Sequence, residues 1–489
     1  MKSRQDAWLL KVLDGCTFDD FGNREGRGVA ESRKQILARL QTKFSTNLNL
    51  NIPLVSANMD TITRARMAIA HAKKGGIGII DRFMTIEDQS EKVAEVKREE
   101  NFVIEKPYHI SIIASVGEAR NLMRKNKVGG LVVLNEDGKL LGILTSRDIR
   151  FCGDNDPVGI RMTSNLNDRL ITAKVGISMV DAKKLLDENR LEKLPLVDED
   201  FRLRGLITSQ DLENLEKYPL ANKDNKGQLI VGAAIGVTGD YIERAQELLK
   251  VGVDVLVIDI AHGYSAQGER ALRACRKRFP KAELVVGNVA SGESVNRLQS
   301  LGANGIKVGI GPGSACLTRY HTNIAPPQGE AIYNCARVAQ VPIIGDGGIR
   351  RDGHIFLCLL LGADSVMIGG RYAGTDETPG RIIEKSNKKK VKTFRGMASR
   401  EAMVEKYRAE LSEDPYEDSA RTSPEGKEDE VEYKGSVVPI IDDMMGHLTS
   451  SISYMGATSL KEAKEMFMAD PKRYLKKLSS AAQRESWDR

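Results

Sequence analysis

Along the chain, short apolar runs of four to seven residues alternate with longer stretches whose apolar residues recur at helical spacing. Between Asn51 and Ile80 the pattern is strand, helix, strand: Ile52-Pro-Leu-Val-Ser, then Arg64 to Lys74, then Gly76-Ile-Gly-Ile-Ile. Pro53 falls near the start of its strand, where a missing amide costs least. After Asn222 the rhythm resumes, with apolar runs beginning at Leu229, Val255, Leu284, Gly305, Val341 and Ser365 and helical stretches between most of them. With the first two strands this makes eight units. Eight βα units predict a TIM (β/α)8 barrel of the α/β class, with its site built from loops at the C-terminal strand ends. A doubly wound sheet is the alternative, but it does not naturally take eight evenly spaced units. Ahead of the first strand, Phe21 to Arg33 is glycine-rich and charged and reads as an irregular arm.

From about Glu105 the rhythm changes. The stretch Val128-Gly-Gly-Leu-Val-Val-Leu to Thr145-Ser-Arg-Asp148 is echoed by Leu191-Glu-Lys-Leu-Pro-Leu-Val to Thr208-Ser-Gln-Asp211. A repeat with a period near 63 residues predicts two copies of one unit packed on each other. Each copy has a helix, a hairpin turning at Asp-Gly or Asp-Phe, and a Thr-Ser-x-Asp tail opening another helix. Thr145, Asp148, Thr208 and Asp211 either cap those helices or hold a ligand. The expected organisation is a first part of the barrel over 1–104, an inserted pair over 105–220 and the rest of the barrel over 221–489.

Composition narrows the function. Hydrophobic residues make up 41 % of the 489, enough for a large core, and aromatics only 5 %, too few for a surface that stacks single-stranded nucleic acid. A formal charge of +6 is small for this length, so no nucleic-acid partner is indicated. Six scattered cysteines form no CxxC pair and have no zinc-like histidine spacing, as expected of reduced thiols in a cytoplasmic protein. No apolar stretch reaches the length of a membrane span, and the first residues lack a signal-peptide run.

The densest chemistry lies in Ile306 to Arg319, where three glycines and a proline fall within Gly309 to Gly313 and Cys316 and Thr318 follow. Such a loop rejects helix and regular strand, turns backbone amides inward and presents a thiol at its tip. Other strand ends carry Asp259, Gly287-Asn288, Asp346-Gly347-Gly348 and Gly369-Gly370. An acid followed by two glycines suits a grip on ribose hydroxyls, and paired glycines offer bare amides to a phosphate. Each motif is weak alone; their convergence on one barrel face is not.

The succession Asp-x-Ala-His-Gly (259–263), Gly-Asn-Val (287–289), Gly-Ile-Gly-Pro-Gly-Ser-x-Cys-x-Thr-Arg (309–319), Asp-Gly-Gly-Ile-Arg (346–350), Val-Met-Ile-Gly (366–369) and Arg-Gly-Met-x-Ser (395–399) resembles the IMP dehydrogenase/GMP reductase family over nearly the whole chain. The inserted repeat resembles a tandem CBS (Bateman) pair. The resemblance implies that Cys316 attacks C2 of a purine nucleotide and that Thr318 passes a proton. It implies that Ser314, Asp346, Gly347, Gly348, Gly369, Gly370, Phe394, Gly396, Met397 and Ser399 hold the nucleotide. Asp259, Asn288 and Gly309 would face the nicotinamide cofactor, and the carbonyls of Gly309, Gly311 and Cys316 a monovalent cation, most simply potassium. The CBS pair implies binding of ATP or GTP/GMP through Thr145, Asp148, Thr208 and Asp211. The family further implies a homo-oligomer, a tetramer or an octamer stacked from tetramers.

Two activities share that chemistry. The dehydrogenase oxidises IMP to XMP with NAD and needs an Arg-Tyr pair on a mobile flap to activate water. The reductase turns GMP into IMP and ammonia with NADPH. The flap here, about 398–432, contains no Arg-Tyr; the nearest dipeptide is Tyr407-Arg408, in reversed order. It keeps Glu425 in Pro-Glu-Gly, matching the glutamate that reductases pair with the threonine. Thr322-Asn-Ile-Ala-Pro-Pro-Gln departs from the family's usual Gly-Val-Gly before Pro-Gln. The expectation is a GMP reductase using NADPH, with an NAD-dependent IMP dehydrogenase as the alternative.

Overall fold

The computed structural model describes residues 2–99, 104, 107–126, 128–164, 170–210, 217–410 and 412–487. The chain divides into two compact units, 1–99 with 220–224 and 229–489, and 100–219 with 225–228. The first is a closed, all-parallel eight-stranded barrel. In chain order its strands are Leu54–Ser56, Ile77–Ile80, Gly232–Ile235, Val255–Asp259, Leu284–Val289, Gly305–Val308, Ile343–Asp346 and Ser365–Ile368. The eighth closes on the first with Val366 opposite Leu54 and Ile368 opposite Ser56. The strands read as continuous apolar runs because both of their faces are covered. Ile79, Val257, Val285, Ile344 and Met367 fill the interior, while Leu54, Leu256, Leu284 and Val366 pack outward against the helices. Several helices begin on a serine that accepts a backbone amide, as Ser265 does from Gly268 and Ser291 from Ser294. Such caps fix where strand-end loops stop and helices begin.

Two additions surround the barrel. Ile383–Glu384, Lys390–Arg395 and Glu428–Glu432 form an antiparallel sheet, and the helices Arg400–Ala409 and Pro415–Ala420 lie between its last two strands. The flap expected over about 398–432 falls on these two helices and the strand Glu428–Glu432. The arm expected to be irregular contains a strand, Phe21–Asn23, paired antiparallel with Leu475–Lys477.

The second unit carries the repeat in three dimensions. Elements beginning at Val116, Gly130 and Leu140 recur at Met179, Lys193 and Leu203, each 63 residues later. Gly138 and Phe201 occupy the same turn position, both at positive φ (77° and 60°). Val132, Leu140, Ile143, Val197 and Leu206 form an apolar cluster shared by the two halves. One expectation fails here: after Leu140–Thr145 the chain makes turns over 146–151, not a helix. The reason is local. Asp148 Oδ2 accepts from both the amide and the hydroxyl of Thr145, at 2.7 Å each, closing a tight turn. Thr208 ends the matching strand. Asp211 lies outside the described residues.

Candidate active site

At the C-terminal end of the barrel a cavity of about 640 Å³ opens between the strand-end loops and the flap. Its floor is set by a lysine inside an apolar strand. Lys307 is 4 % exposed, and its Nζ donates to Asp346 Oδ2 at 2.8 Å and to Asp259 Oδ1 at 3.1 Å. Burial alone would lower the lysine's pKa, but the two carboxylates outweigh it, so the ammonium is held more firmly than usual. Burial likewise opposes ionisation of Asp259, and Lys307, Arg82 and a hydrogen bond from Asn58 overcome it, leaving its pKa below the ordinary value. Asn288 Nδ2 also donates to Asp346 Oδ2, at 2.9 Å, and to the Gly309 carbonyl, at 2.6 Å. Asp346 is thus oriented through one oxygen.

The loop after the sixth strand then turns sharply. Gly309 has φ of +150°, and a Cβ there would lie 1.9 Å from the Asp346 carbonyl oxygen, so the close approach admits only glycine. Beyond it, residues 313–317 are tied to the flap. Leu317 N donates to the Glu425 carbonyl at 2.7 Å, Lys427 N to the Ala315 carbonyl at 3.1 Å, and Cys316 bridges Gly426 antiparallel. The flap segment is held in turn by Glu425 N and Gly426 N, both donating to the Ala398 carbonyl at 3.1 Å. Gly426 sits where a Cβ would meet Ser399 N at 2.8 Å. Arg395 pairs with Asp60 on the loop after the first strand and with Glu428 on the flap, anchoring the flap sheet to the barrel rim.

This pairing brings Glu425 to Thr318, 107 residues away in sequence. The Cys316 thiol is 3.3 Å from Thr318 Oγ1, which donates to Glu425 Oε2 at 2.8 Å. A nucleophile, a hydroxyl and a carboxylate in series can deliver a proton to a group leaving the atom under attack.

Asp259, Asn288, Gly309, Gly311, Ser314, Cys316, Thr318, Asp346, Gly347, Gly348, Gly369, Gly370, Phe394, Gly396, Met397 and Glu425 all line this cavity. Ser399 does not. It is buried, and its hydroxyl caps the helix Arg400–Ala409 by accepting from Ala402 N at 3.2 Å, so it shapes the loop from behind. Thr145, Asp148 and Thr208 belong to the inserted unit. The expected cation loop fits unevenly: the Gly309 carbonyl already accepts Asn288, and Gly311 turns at φ +84°. Lys307, Arg82, Asn58 and Lys406 were not among the sequence candidates, yet all four line the cavity. The signal for Lys307 was present, a lone charge inside Ile-Lys-Val, next to one strand ending in an acid and one strand removed from another.

A family model described as IMP dehydrogenase / GMP reductase domain matches residues 15–488. Inosine-5'-monophosphate dehydrogenase of Nitrosopumilus maritimus (strain SCM1) is 42 % identical over 460 residues, covering 93 % of this chain and 95 % of that protein. The Streptococcus pyogenes protein of the same name is 43 % identical over 468 residues, with 94 % and 93 % covered. Among solved structures, a Cys-to-Ala variant of GMP reductase from Trypanosoma brucei in complex with guanosine 5'-monophosphate superposes with a TM-score of 0.86 at 37 % identity, covering 96 % of this chain and 97 % of that one. The same enzyme in complex with guanosine 5'-triphosphate gives a TM-score of 0.76 at 33 % identity, covering 95 % and 98 %.

Proposed function

The chain belongs to the IMP dehydrogenase/GMP reductase family, a group of oxidoreductases acting on purine nucleotides with a nicotinamide cofactor, and from that premise we propose that it is a GMP reductase. The observation that carries this reading is the flap: it supplies Glu425 to Thr318 beside the Cys316 thiol and contains no Arg-Tyr pair to activate water. The Trypanosoma brucei structure titled GMP reductase supports it by likeness over nearly the whole chain.

In this mechanism Asp346 grips the ribose through the oxygen not engaged by Lys307 and Asn288. The glycines at 347–348 and 369–370, with Ser314, receive the 5'-phosphate, and Gly396 and Met397 border the base. Cys316 sulfur bonds to C2 as the C2–N bond to the amino group breaks. The proton this group needs passes from Glu425 through Thr318, and it leaves as ammonia. The nicotinamide cofactor, when bound, supplies a hydride to C2. The C2–S bond then breaks, and Cys316 regains its thiolate as IMP is released. The cavity fits such a cofactor beside the nucleotide. Asn288 Oδ1 is a buried acceptor with no protein donor among the described residues, and Asp259 lies on the same wall.

The alternative, NAD-dependent oxidation of IMP to XMP, is favoured by the names of the curated relatives at 42–43 % identity. One paired assay separates the two. With GMP and NADPH the protein should oxidise the cofactor and release ammonia. Silence there, with NAD reduced in the presence of IMP, overturns the reductase. Cys316→Ala should abolish either reaction. The inserted unit is read as a CBS pair binding ATP or GTP through Thr145, Asp148, Thr208 and Asp211, supported by the guanosine 5'-triphosphate complex of the Trypanosoma brucei enzyme. Nucleotide titration should change turnover or sedimentation of the homo-oligomer, tetramer or octamer, and no change in either would refute it. Monovalent cation, potassium first, belongs in the same titration because of the Gly309–Cys316 loop.

A further inference from the structure

Arg82 follows the second barrel strand and lines the cavity, yet its guanidinium makes no hydrogen bond and no ion pair with any described residue. Its Cζ lies 5.0 Å from the centroid of the neighbouring Phe83 ring. Arg82 is half-buried, and its Nε is fully buried with no hydrogen-bond partner; leaving one of a guanidinium's five donors buried and unpaired is costly. Burial lowers its pKa, and the negative groups around it, Asp259, Glu410 and Asp240, act through space rather than by contact. The guanidinium reaches over the end of the third strand, where its Nη1 lies 3.5 Å from the position a Cβ would take on Gly236. Lys406, from the flap helix Arg400–Ala409, lines the same cavity and holds Glu410 at 3.8 Å. Burial lowers the Lys406 pKa, and the Arg82 charge adds to that effect while Glu410 opposes it.

Topology says which anion this is not. The glycine pairs that receive the mononucleotide phosphate follow the seventh and eighth strands, and in a closed ring of eight the third strand stands opposite the seventh. Asp259, at the end of the adjacent fourth strand, is on the Arg82 side.

We propose that Arg82 and Lys406 form a phosphate subsite for the dinucleotide cofactor, across the barrel mouth from the mononucleotide's phosphate. The inference rests on the reading of this cavity as a nicotinamide-dependent site. The phosphate is either the cofactor's diphosphate or the 2'-phosphate of NADPH. Both are dianionic oxygen clusters of the kind a guanidinium fork and an ammonium engage together.

The test is equilibrium binding of NADPH and NADH to a Cys316→Ala protein loaded with GMP, followed by fluorescence, which needs no turnover. Arg82→Met should raise the cofactor dissociation constant about tenfold or more, and Lys406→Met several-fold, with Arg82→Lys recovering most of the loss. GMP affinity should not move. Equal weakening of NADPH and NADH assigns the diphosphate, and weakening of NADPH alone assigns the 2'-phosphate; either supports the subsite. Unchanged cofactor affinity in both variants overturns it, as does a loss of GMP affinity in its place. Should Arg82→Met fail to fold, Lys406→Met and inorganic pyrophosphate on the unmodified pocket decide. Pyrophosphate should displace NADPH without displacing GMP, and failure to do so refutes the subsite. If the protein binds NAD with IMP and ignores NADPH with GMP, the reductase reading falls, and the same variants measured against NAD still judge this proposal.

Discussion

Replacing Lys307 by methionine keeps the volume of the side chain and removes one charge from between two others. Lys307 Nζ lies 2.8 Å from Asp346 and 3.1 Å from Asp259. At an effective dielectric near 20 those separations correspond to about 11 kcal/mol of gross attraction, most of which offsets the desolvation of three charges. Breaking a buried pair by removing one partner typically costs about 3–5 kcal/mol. The lower end applies here, because Asp346 and Asp259 are 19 % and 20 % exposed and keep donors of their own in Asn288 and Asn58. Lys307→Met should therefore lose about 3 kcal/mol, a fall in Tm of about 5 °C or more. The sign of its pH dependence follows from linkage. In the native protein Asp259 is depressed, so its contribution is present above the unfolded carboxylate pKa and disappears as pH falls through the lower folded value. Lys307 is raised, so its contribution is present below the unfolded lysine pKa and disappears only at strongly alkaline pH. Without the lysine, two neighbouring carboxylates resist ionisation, and the variant's deficit should be largest at pH 7–8 and shrink towards pH 4–5. Differential scanning calorimetry across that range measures it. A Tm deficit that is the same at every pH, or one below about 1 °C, would refute the role given to this lysine.

Glu425→Gln keeps the hydrogen bond to Thr318 but cannot supply a proton; turnover should fall about 10²–10⁴-fold with GMP affinity intact, and a loss under fivefold in steady-state kinetics counts against the relay. Gly426→Ala pushes a methyl to 2.8 Å from Ser399 N, so the pairing of Cys316 with the flap should open, lowering turnover while circular dichroism stays native. His71 is fully buried against Tyr372 (ring centroids 4.7 Å apart), and burial brings its pKa down to about 3. The unfolded chain then binds a proton that the native protein refuses, so stability is complete above pH 6.5 and should decline by about 2 kcal/mol between pH 6.5 and 5. His71→Phe should flatten that part of the urea-denaturation profile, and an unchanged slope would show that His71 is not its source.

The barrel was legible because its strands are buried on both faces and so stand out as uninterrupted apolar runs, and the repeat because its period of 63 survives in the strands themselves. The Cys316 loop declared itself through glycines whose dihedrals no other element tolerates. Ser399 was misplaced for a physical reason: a serine ahead of a helix serves equally as a cap or as a ligand, and only the direction of its hydroxyl distinguishes the two. The same ambiguity affected Thr145 and Asp148, which close a turn on themselves. Lys307 and Arg82 escaped notice because each lies in or beside an apolar strand, and what each faces is set by strands far away in sequence. The union of Thr318 with Glu425 depends on backbone pairing between loop and flap, which no local pattern encodes.

The way the barrel closes at the points where the inserted unit leaves and rejoins it has a further consequence. Lys97 Nζ, just before the insertion, holds Asp224, just after it, at 3.0 Å and Asp254 at 2.6 Å, while Asn51 Nδ2 donates to the Leu220 carbonyl at 3.0 Å. Departure and return points are therefore stitched together by residues of the barrel itself. The module between them is a cassette. A gene in which a few residues replace 100–219 should still encode a closed barrel, so the inserted unit and the barrel can be handled as separate genetic parts.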